Sequence, residues 1–237
     1  MTDSTENHIC THCEHGHDET AWGWTLRNVD EVPTAVKTLP DGRLELRIQH
    51  PVLTGVTPEM LAWWFQVVDG YTNYRGKTYR TYHLWHPQDH VSVRVTRDAD
   101  GQVAPGQTMT IHEVLGGNPN HVIDNTVTIH RLDTGGIGIH GDLLGHRVMS
   151  LDHTFTAVEG GVKYESVMRL GAGTGWFHRL FNQLFLPLVF SKAKAKAWLK
   201  HNVEEVGCFV NFLPEIYRHR EAGDTARTQQ NPSQESV

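Results

Sequence analysis

The stretch from Ser191 to Pro214, SKAKAKAWLKHNVEEVGCFVNFLP, constrains the chain more than any other, because its spacings are helical and define two different faces. Lys192, Lys196 and Lys200 recur every four residues and form a solvated row. Trp198, His201, Glu205, Cys208 and Phe212 recur at steps of three and four, a second stripe that should face a core. An ionised carboxylate buried in an apolar stripe is costly unless something positive compensates it. His201 lies one turn before Glu205, and side chains four apart on a helix stand about 5–6 Å apart, close enough to share one cation. His201 and Glu205 therefore read as two metal ligands, with a plain surface His-Glu pair as the competing explanation. The remaining ligands have to come from elsewhere in the chain.

Upstream of this helix the pattern is mostly period two. Arg43 to Ile48 alternates, with Leu44, Leu46 and Ile48 on one face, and reads as the first strand. Thr57 to Val68 reads as a helix, with Thr57 as N-cap, Pro58 at the first position and Gly70 closing it. Tyr79 to His86 reads as a strand broken at Pro87, followed by HVSVRVTRD with Val91, Val93 and Val95 on one face. In TMTIHEVL the odd residue on an apolar face is Glu113, flanked by Met109, Ile111 and Leu115. A hairpin between these two segments pairs Glu113 roughly with Val91 and brings it to the HPQDH bend. Further strands follow in HVIDNTVTIHR, HRVMSLDHTFTAV and VKYESVMRL, where His153 and Tyr164 fall on inward faces. For each the bland alternative is a buried polar group satisfied by the backbone. Trp176 to Leu186 is an amphipathic helical piece that Pro187 should kink or separate from the long helix.

Two tails flank this region. Residues 1–19 have no apolar periodicity and should be disordered, although His8, Cys10, His12, Cys13, His15 and His17 crowd there and such a tract binds metals softly. Cys10 and His12 match half of a Rieske motif, but no second Cys-x-x-His pair exists. Residues 219–237 form a second polar tail, leaving 20–218 as one domain. The net charge of -6 gives no electrostatic case for nucleic acid or an anionic membrane, so the expected partner is a small molecule. The longest apolar run, Leu184 to Phe190, is too short to span a bilayer, the N-terminus lacks a signal-peptide core, and three cysteines are too few for a disulfide framework. These features place the protein in the cytoplasm. The outlier is histidine, with 17 copies in a chain that is not otherwise basic.

The element order of strand, helix, a run of antiparallel strands and a long terminal helix is that of an α+β helix-grip fold. In that fold a curved sheet wraps the last helix and leaves a cavity between them. Inward residues of several strands and one side of the helix then face one space. With HLWHPQDH, Glu113 on the next strand and His201-Asn-Val-Glu-Glu205, the chain resembles the 2,4-diacetylphloroglucinol hydrolase family over roughly residues 40–217. The resemblance implies a birch-allergen-like fold and a zinc ion (Zn2+) held by two histidines and two glutamates. It also implies hydrolysis of the carbon-carbon bond between an acyl group and a phloroglucinol-like ring, so that the partner is an aromatic ketone. A homodimer is left open.

Carried onto this chain, the ligands are His86, Glu113, His201 and Glu205, and the catalytic pair is His153 with Tyr164, the tyrosine bonding the phenolic oxygen. The first histidine has three candidates, His83, His86 and His90. His86 is preferred because Val91, Val93 and Val95 set the inward face and leave His90 pointing outward. Two other readings use the same fold: a non-catalytic binder of small hydrophobic ligands, and a metal-dependent oxygenase or polyketide cyclase. Two glutamates fit the two-His, one-carboxylate iron triad poorly.

Overall fold

The computed structural model describes residues 23–173 and 176–220. The expected tail at 1–19 with its His/Cys tract, and residues 221–237 of the expected tail at 219–237, lie outside the described residues. Among the described residues, eleven strands and four α-helices follow in chain order. They are β1 (Thr34–Thr38), β2 (Leu44–Gln49), β3 (Leu53–Thr54), α1 (Pro58–Val67), β4 (Tyr71–Tyr74), β5 (Lys77–Arg80) and α2 (Thr81–Trp85). Then come β6 (His90–Val95), β7 (Thr108–Val114), β8 (Val122–Asp133), β9 (Gly136–Leu143), β10 (His146–Val158), β11 (Gly161–Leu170), α3 (Trp176–Val189) and α4 (Lys192–Arg218).

One antiparallel sheet runs β1-β2-β11-β10-β9-β8-β7-β6, with β3 paired to β11, while β4 and β5 form a separate hairpin. The path closes the sequence on itself, because the early β2 pairs with the last strand β11 and the intervening strands return as a meander. The sheet is curved, and α4 fills its concave side. This is a helix-grip fold.

Local chemistry explains the helix starts. The Thr57 hydroxyl accepts the Met60 N–H at 3.4 Å and Ser191 accepts the Lys194 N–H at 3.1 Å, each satisfying an N–H that the first turn leaves free. Pro187 does not end α3, which continues to Val189 before Ser191 caps the next helix. On α4, Lys192, Lys196 and Lys200 are exposed while every residue from His201 to Phe209 is buried, so the helix is gripped on all sides there. Two apolar clusters pack against it. Ala195, Trp198, Leu199 and Val203 join β2 and β11, and Val206, Phe209 and Phe212 join Trp64 of α1 and Trp85 of α2. Between them α4 carries His201, Asn202, Glu204 and Glu205, all buried and all polar.

Two sequence expectations are corrected. The segment expected as a strand from Tyr79 to His86 is a strand only to Arg80, and α2 follows. Its buried residues, Thr81, Tyr82, Leu84 and Trp85, fit a helical turn packed against α4 rather than one face of a strand. His90, expected to point outward, is buried, because a bulge between His90 and Ser92 leaves Val91 as an extra, 42% exposed residue. One extra residue reverses which face the preceding residue occupies. Glu113 accordingly pairs with His90 rather than Val91. Strand β1 and the β4–β5 hairpin carry little buried apolar surface and gave no periodic signal. No helix among the described residues is long and apolar enough to cross a membrane.

Candidate metal centre

Three elements bring four side chains to one point. Helix α4 supplies His201 and Glu205, the bulged start of β6 supplies His90, and β7 supplies Glu113 directly across the ladder from it. His90 Nε2 lies 3.3 Å from Glu205 Oε2 and 3.7 Å from Glu113 Oε1. His201 Nε2 lies 3.7 Å from Glu113 Oε2 and 3.7 Å from Glu205 Oε2. Two imidazole nitrogens and two carboxylates thus converge in a buried space, and His90, Glu113 and His201 form a group able to hold a metal ion.

The surrounding hydrogen bonds decide where the protons sit. His90 Nδ1 donates to the Tyr82 carbonyl at 2.8 Å, which leaves Nε2 with its lone pair, buried and without a partner. His201 Nδ1 donates to Asp89 Oδ2 at 2.9 Å, which leaves Nε2 as the nitrogen turned to the carboxylates. Asp89 is itself fixed, since its Oδ1 accepts the Gly116 N–H at 2.9 Å. On the carboxylate side, Tyr82 Oη donates to Glu113 Oε1, and Asn202 Nδ2 donates to Glu205 Oε1 at 2.6 Å. Ligand nitrogens oriented through their other ring N–H, and carboxylates held by donors, are what a metal site requires of its surroundings.

Burial and crowding shift the titrations in opposite directions. Burial, reinforced by the charges of His201 and His86, holds His90 well below the ordinary histidine range. Burial alone would also lower His201, but Glu205, Glu113 and Asp89 outweigh it and raise its pKa to about 9. Burial pushes Glu205 upward against the opposing pull of His201, and Glu113 adds to the rise. Without a cation the cluster therefore keeps protons that it would lose in water.

The other expected residues are placed differently. His86 Nε2 lies 3.4 Å from Glu204 Oε2 and 3.9 Å from Asp89 Oδ2, while its Nδ1 accepts the Asp89 N–H at 3.2 Å. His86, Asp89 and His201 make a second group with metal-ligand spacing. His83 is bonded to the Val91 carbonyl at 2.9 Å and belongs to neither group. His153 lines the cavity, with Nδ1 2.9 Å from Ser166 Oγ. Tyr164 is fully buried behind the cavity wall, its ring 5.3 Å from that of His153 and its hydroxyl without a partner. Asp89, Tyr82, Asn202, Ser166 and His50 were not singled out by sequence. Asp89 sits inside the HPQDH segment already marked by its histidines, whereas no local spacing marks the other four.

The cavity measures about 590 Å³ and lies between the sheet and α4. Glu113, His201 and Glu205 form its polar end, and Phe65, Ile139, Leu151 and Trp198 are among its apolar walls. That volume and composition suit a small, mostly apolar molecule with a few polar groups.

Residues 28–133 match the family model described as the DAPG hydrolase PhiG domain, less than half of the chain. The matched span holds His90 and Glu113 and ends before His153, His201 and Glu205. No curated protein sequence matches. Among solved structures, protein Ms6760 from Mycobacterium smegmatis is 14% identical, with 75% of this chain and 98% of that chain covered at a TM-score of 0.40. Ara h 8.0201 is 17% identical, with 74% and 99% covered at 0.39. The di-domain ARO/CYC BexL from the BE-7585A biosynthetic pathway is 11% identical, with 71% and 52% covered at 0.39.

Proposed function

We propose that the protein is a zinc-dependent hydrolase that cleaves the carbon-carbon bond between an acyl group and a phloroglucinol-like ring, with His90, Glu113, His201 and Glu205 as the metal ligands. The observation that carries this reading is the partnerless Nε2 of His90 facing two carboxylates, with the Nε2 of His201 turned to the same two carboxylates. An unpaired nitrogen in a buried site is costly, and a cation supplies the missing partner. His90 takes the ligand position in preference to His86. The Nδ1 lone pair of His86 already accepts the Asp89 N–H, which puts its proton on Nε2 toward Glu204 and leaves no nitrogen free. A set of two histidines and two carboxylates suits zinc.

Bound zinc would polarise the acyl carbonyl and lower the pKa of a coordinated water. The chain's own residues do the rest. Hydrolysis adds water's hydroxyl to the acyl carbon and its proton to the ring carbon, so one proton has to be carried from one side of the broken bond to the other. His153 is a titratable group on the cavity wall that is not engaged with the carboxylates, and burial lowers its pKa to about 3, so it rests neutral. It takes the proton and returns it to the ring carbon. The apolar walls hold the ring and exclude bulk water. Tyr164 serves the phenolic oxygen, a role supported by its unpartnered hydroxyl, which a substrate oxygen would satisfy after a local side-chain shift.

Elemental analysis of wild type beside His201→Ala tests the metal, the variant reporting whatever the N-terminal tract holds on its own. Hydrolysis of mono- and diacetylphloroglucinol tests the reaction. No metal difference between the two proteins, or turnover unaffected by its removal, would overturn the reading.

A further inference from the structure

One row of buried polar groups runs from the metal centre to His153 through residues the chemistry above does not use. Asn202 Nδ2 donates to Glu205 Oε1 at 2.6 Å. A carboxylate only accepts, so the amide orientation of Asn202 is fixed and its Oδ1 must face the other way. That Oδ1 is buried without a hydrogen-bond partner, and so is His50 Nδ1. The Asn202 side chain is the group that favours the proton on His50. At the far side of the His50 ring, Nε2 lies 3.0 Å from Ser166 Oγ, and Ser166 Oγ lies 2.9 Å from His153 Nδ1. His50, Ser166 and His153 are at most 6% exposed, and they come from the end of β2, from β11 and from β10, three neighbouring strands. Burial holds both histidines neutral, with pKa values lowered to about 3.

Each neutral imidazole has one N–H and one lone pair, and a hydroxyl has one proton, so fixing one direction in this row fixes them all. With His50 Nδ1–H directed at Asn202 Oδ1, His50 Nε2 must accept. Ser166 O–H then donates to it, Ser166 Oγ accepts from His153 Nδ1–H, and His153 Nε2 is left bare toward the cavity. We infer that Asn202, His50 and Ser166 are positioning residues that hold His153 as the Nδ1–H tautomer, with Nε2 presented to the cavity as a base. The inference about the tautomer stands on the Asn202–Glu205, His50–Ser166 and Ser166–His153 hydrogen bonds and on pairing the two unpartnered atoms, Asn202 Oδ1 and His50 Nδ1. Its consequence for catalysis rests on the function proposed above, in which His153 Nε2 takes the proton of the attacking water and passes that same proton to the ring carbon. The row needs no net proton of its own; it keeps the accepting nitrogen free at the start and restored at the end.

The tautomer can be read without substrate. In full-length, metal-loaded protein labelled with 15N-histidine, long-range proton-nitrogen spectra distinguish the two neutral forms, with His153→Ala assigning the signal. Wild type should show His153 as the Nδ1–H form. Ser166→Ala and His50→Phe, each of which removes a link, should shift it toward the Nε2–H form, and Ser166→Thr, which keeps the hydroxyl, should retain it. On an acetylphloroglucinol the two disrupting variants should lose about 10–100-fold in kcat, the usual effect of losing a supporting hydrogen bond, with KM within about twofold. Two results would overturn the inference: an Nε2–H form in wild type, or an unchanged tautomer in both Ser166→Ala and His50→Phe. If wild type fails to hydrolyse acylphloroglucinols but the tautomer responds as described, the proposed reaction is wrong and the positioning row stands.

Discussion

Replacing His90 by alanine should cost the site its metal, whereas replacing His86 should only weaken it. The structure sets the two magnitudes apart. His90 points an unpartnered Nε2 at Glu205 Oε2, 3.3 Å away, and at Glu113 Oε1, 3.7 Å away, so its loss removes one of the four proposed ligands and leaves two carboxylates facing a single imidazole. Four-ligand zinc sites bind with roughly 10–16 kcal/mol in all, so one ligand is worth about 3–4 kcal/mol, or about 10²–10³-fold in affinity. His86 reaches the site only through others: it holds the Asp89 N–H and the Glu204 carboxylate, and Asp89 in turn orients His201. Losing such an indirect support costs about 10–100-fold, and Glu204 keeps its ion pair with Lys200 at 2.7 Å. Zinc affinity is measured by competition with a chromophoric chelator, using His201→Ala to subtract metal bound outside the site. If His86→Ala released the metal while His90→Ala kept a wild-type affinity, His86 would be the ligand and the proton assignment made here would be wrong.

Metal uptake should release protons and tighten with pH across about 6.5–9, because His201 is raised from 6.5 to about 9 and Glu205 is raised beside it; titration calorimetry in buffers of different ionisation enthalpy reads the proton count. The raised His201 stabilises the metal-free fold below about pH 6.5 and loses that contribution as pH climbs through about 9, so its urea midpoint should fall over that window while the loaded protein's does not. His50 and His153, both lowered to about 3, act oppositely: their contribution is full above about pH 6.5 and is lost as pH falls toward 3, which acid unfolding followed by circular dichroism will show. Glu113→Gln should weaken zinc far more than His112→Gln, since His112 lies on the outer face against Asp124, and equal effects would contradict the strand register. His153→Ala should keep its metal yet lose about 10²–10⁴ in turnover, with Tyr164→Phe losing less; metal loss in His153→Ala would make it a ligand.

The parts of this molecule that sequence exposed are those whose geometry is local. The α4 stripe needs only the 3.6-residue period, and every member of it, from Trp198 to Phe212, is buried. The Thr57-Pro58 start of α1 needs only capping chemistry, and the Thr57 hydroxyl does accept the Met60 N–H. Inward strand residues such as His153 and Tyr164 follow from period two. What failed did so for want of an apolar signal or because two periods compete. Strand β1 is an edge with Val36 half exposed, so nothing alternates. The segment from Tyr79 to Trp85 alternates aromatic and polar residues like a strand, yet its end packs as one helical turn against α4.

The site's least legible residue was His90, and the reason is physical. A bulge is a property of two strands: it inserts Val91 opposite a partner that has no matching residue, and only the β7 register, with His90 against Glu113 and Ser92 against His112, reveals it. Read along β6 alone, Val91, Val93 and Val95 share a face and exclude His90 from it. Yet the carboxylate of Glu113 needs a partner at the end of that strand, and a regular ladder would set against it Val91, which can neither pair with a charge nor hold a metal. The bulge turns His90 in and Val91 out, and it sets the His90 ring 3.8 Å from that of Tyr82, whose own hydroxyl holds Glu113. Regularising the pair by inserting one alanine between His112 and Glu113, opposite Val91, should therefore move His90 and Glu113 together to the outer face and abolish metal binding while leaving the β6–β7 pairing intact. Retention of a full equivalent of zinc by that insertion, above the His201→Ala baseline, would show that the bulge does not place the ligand.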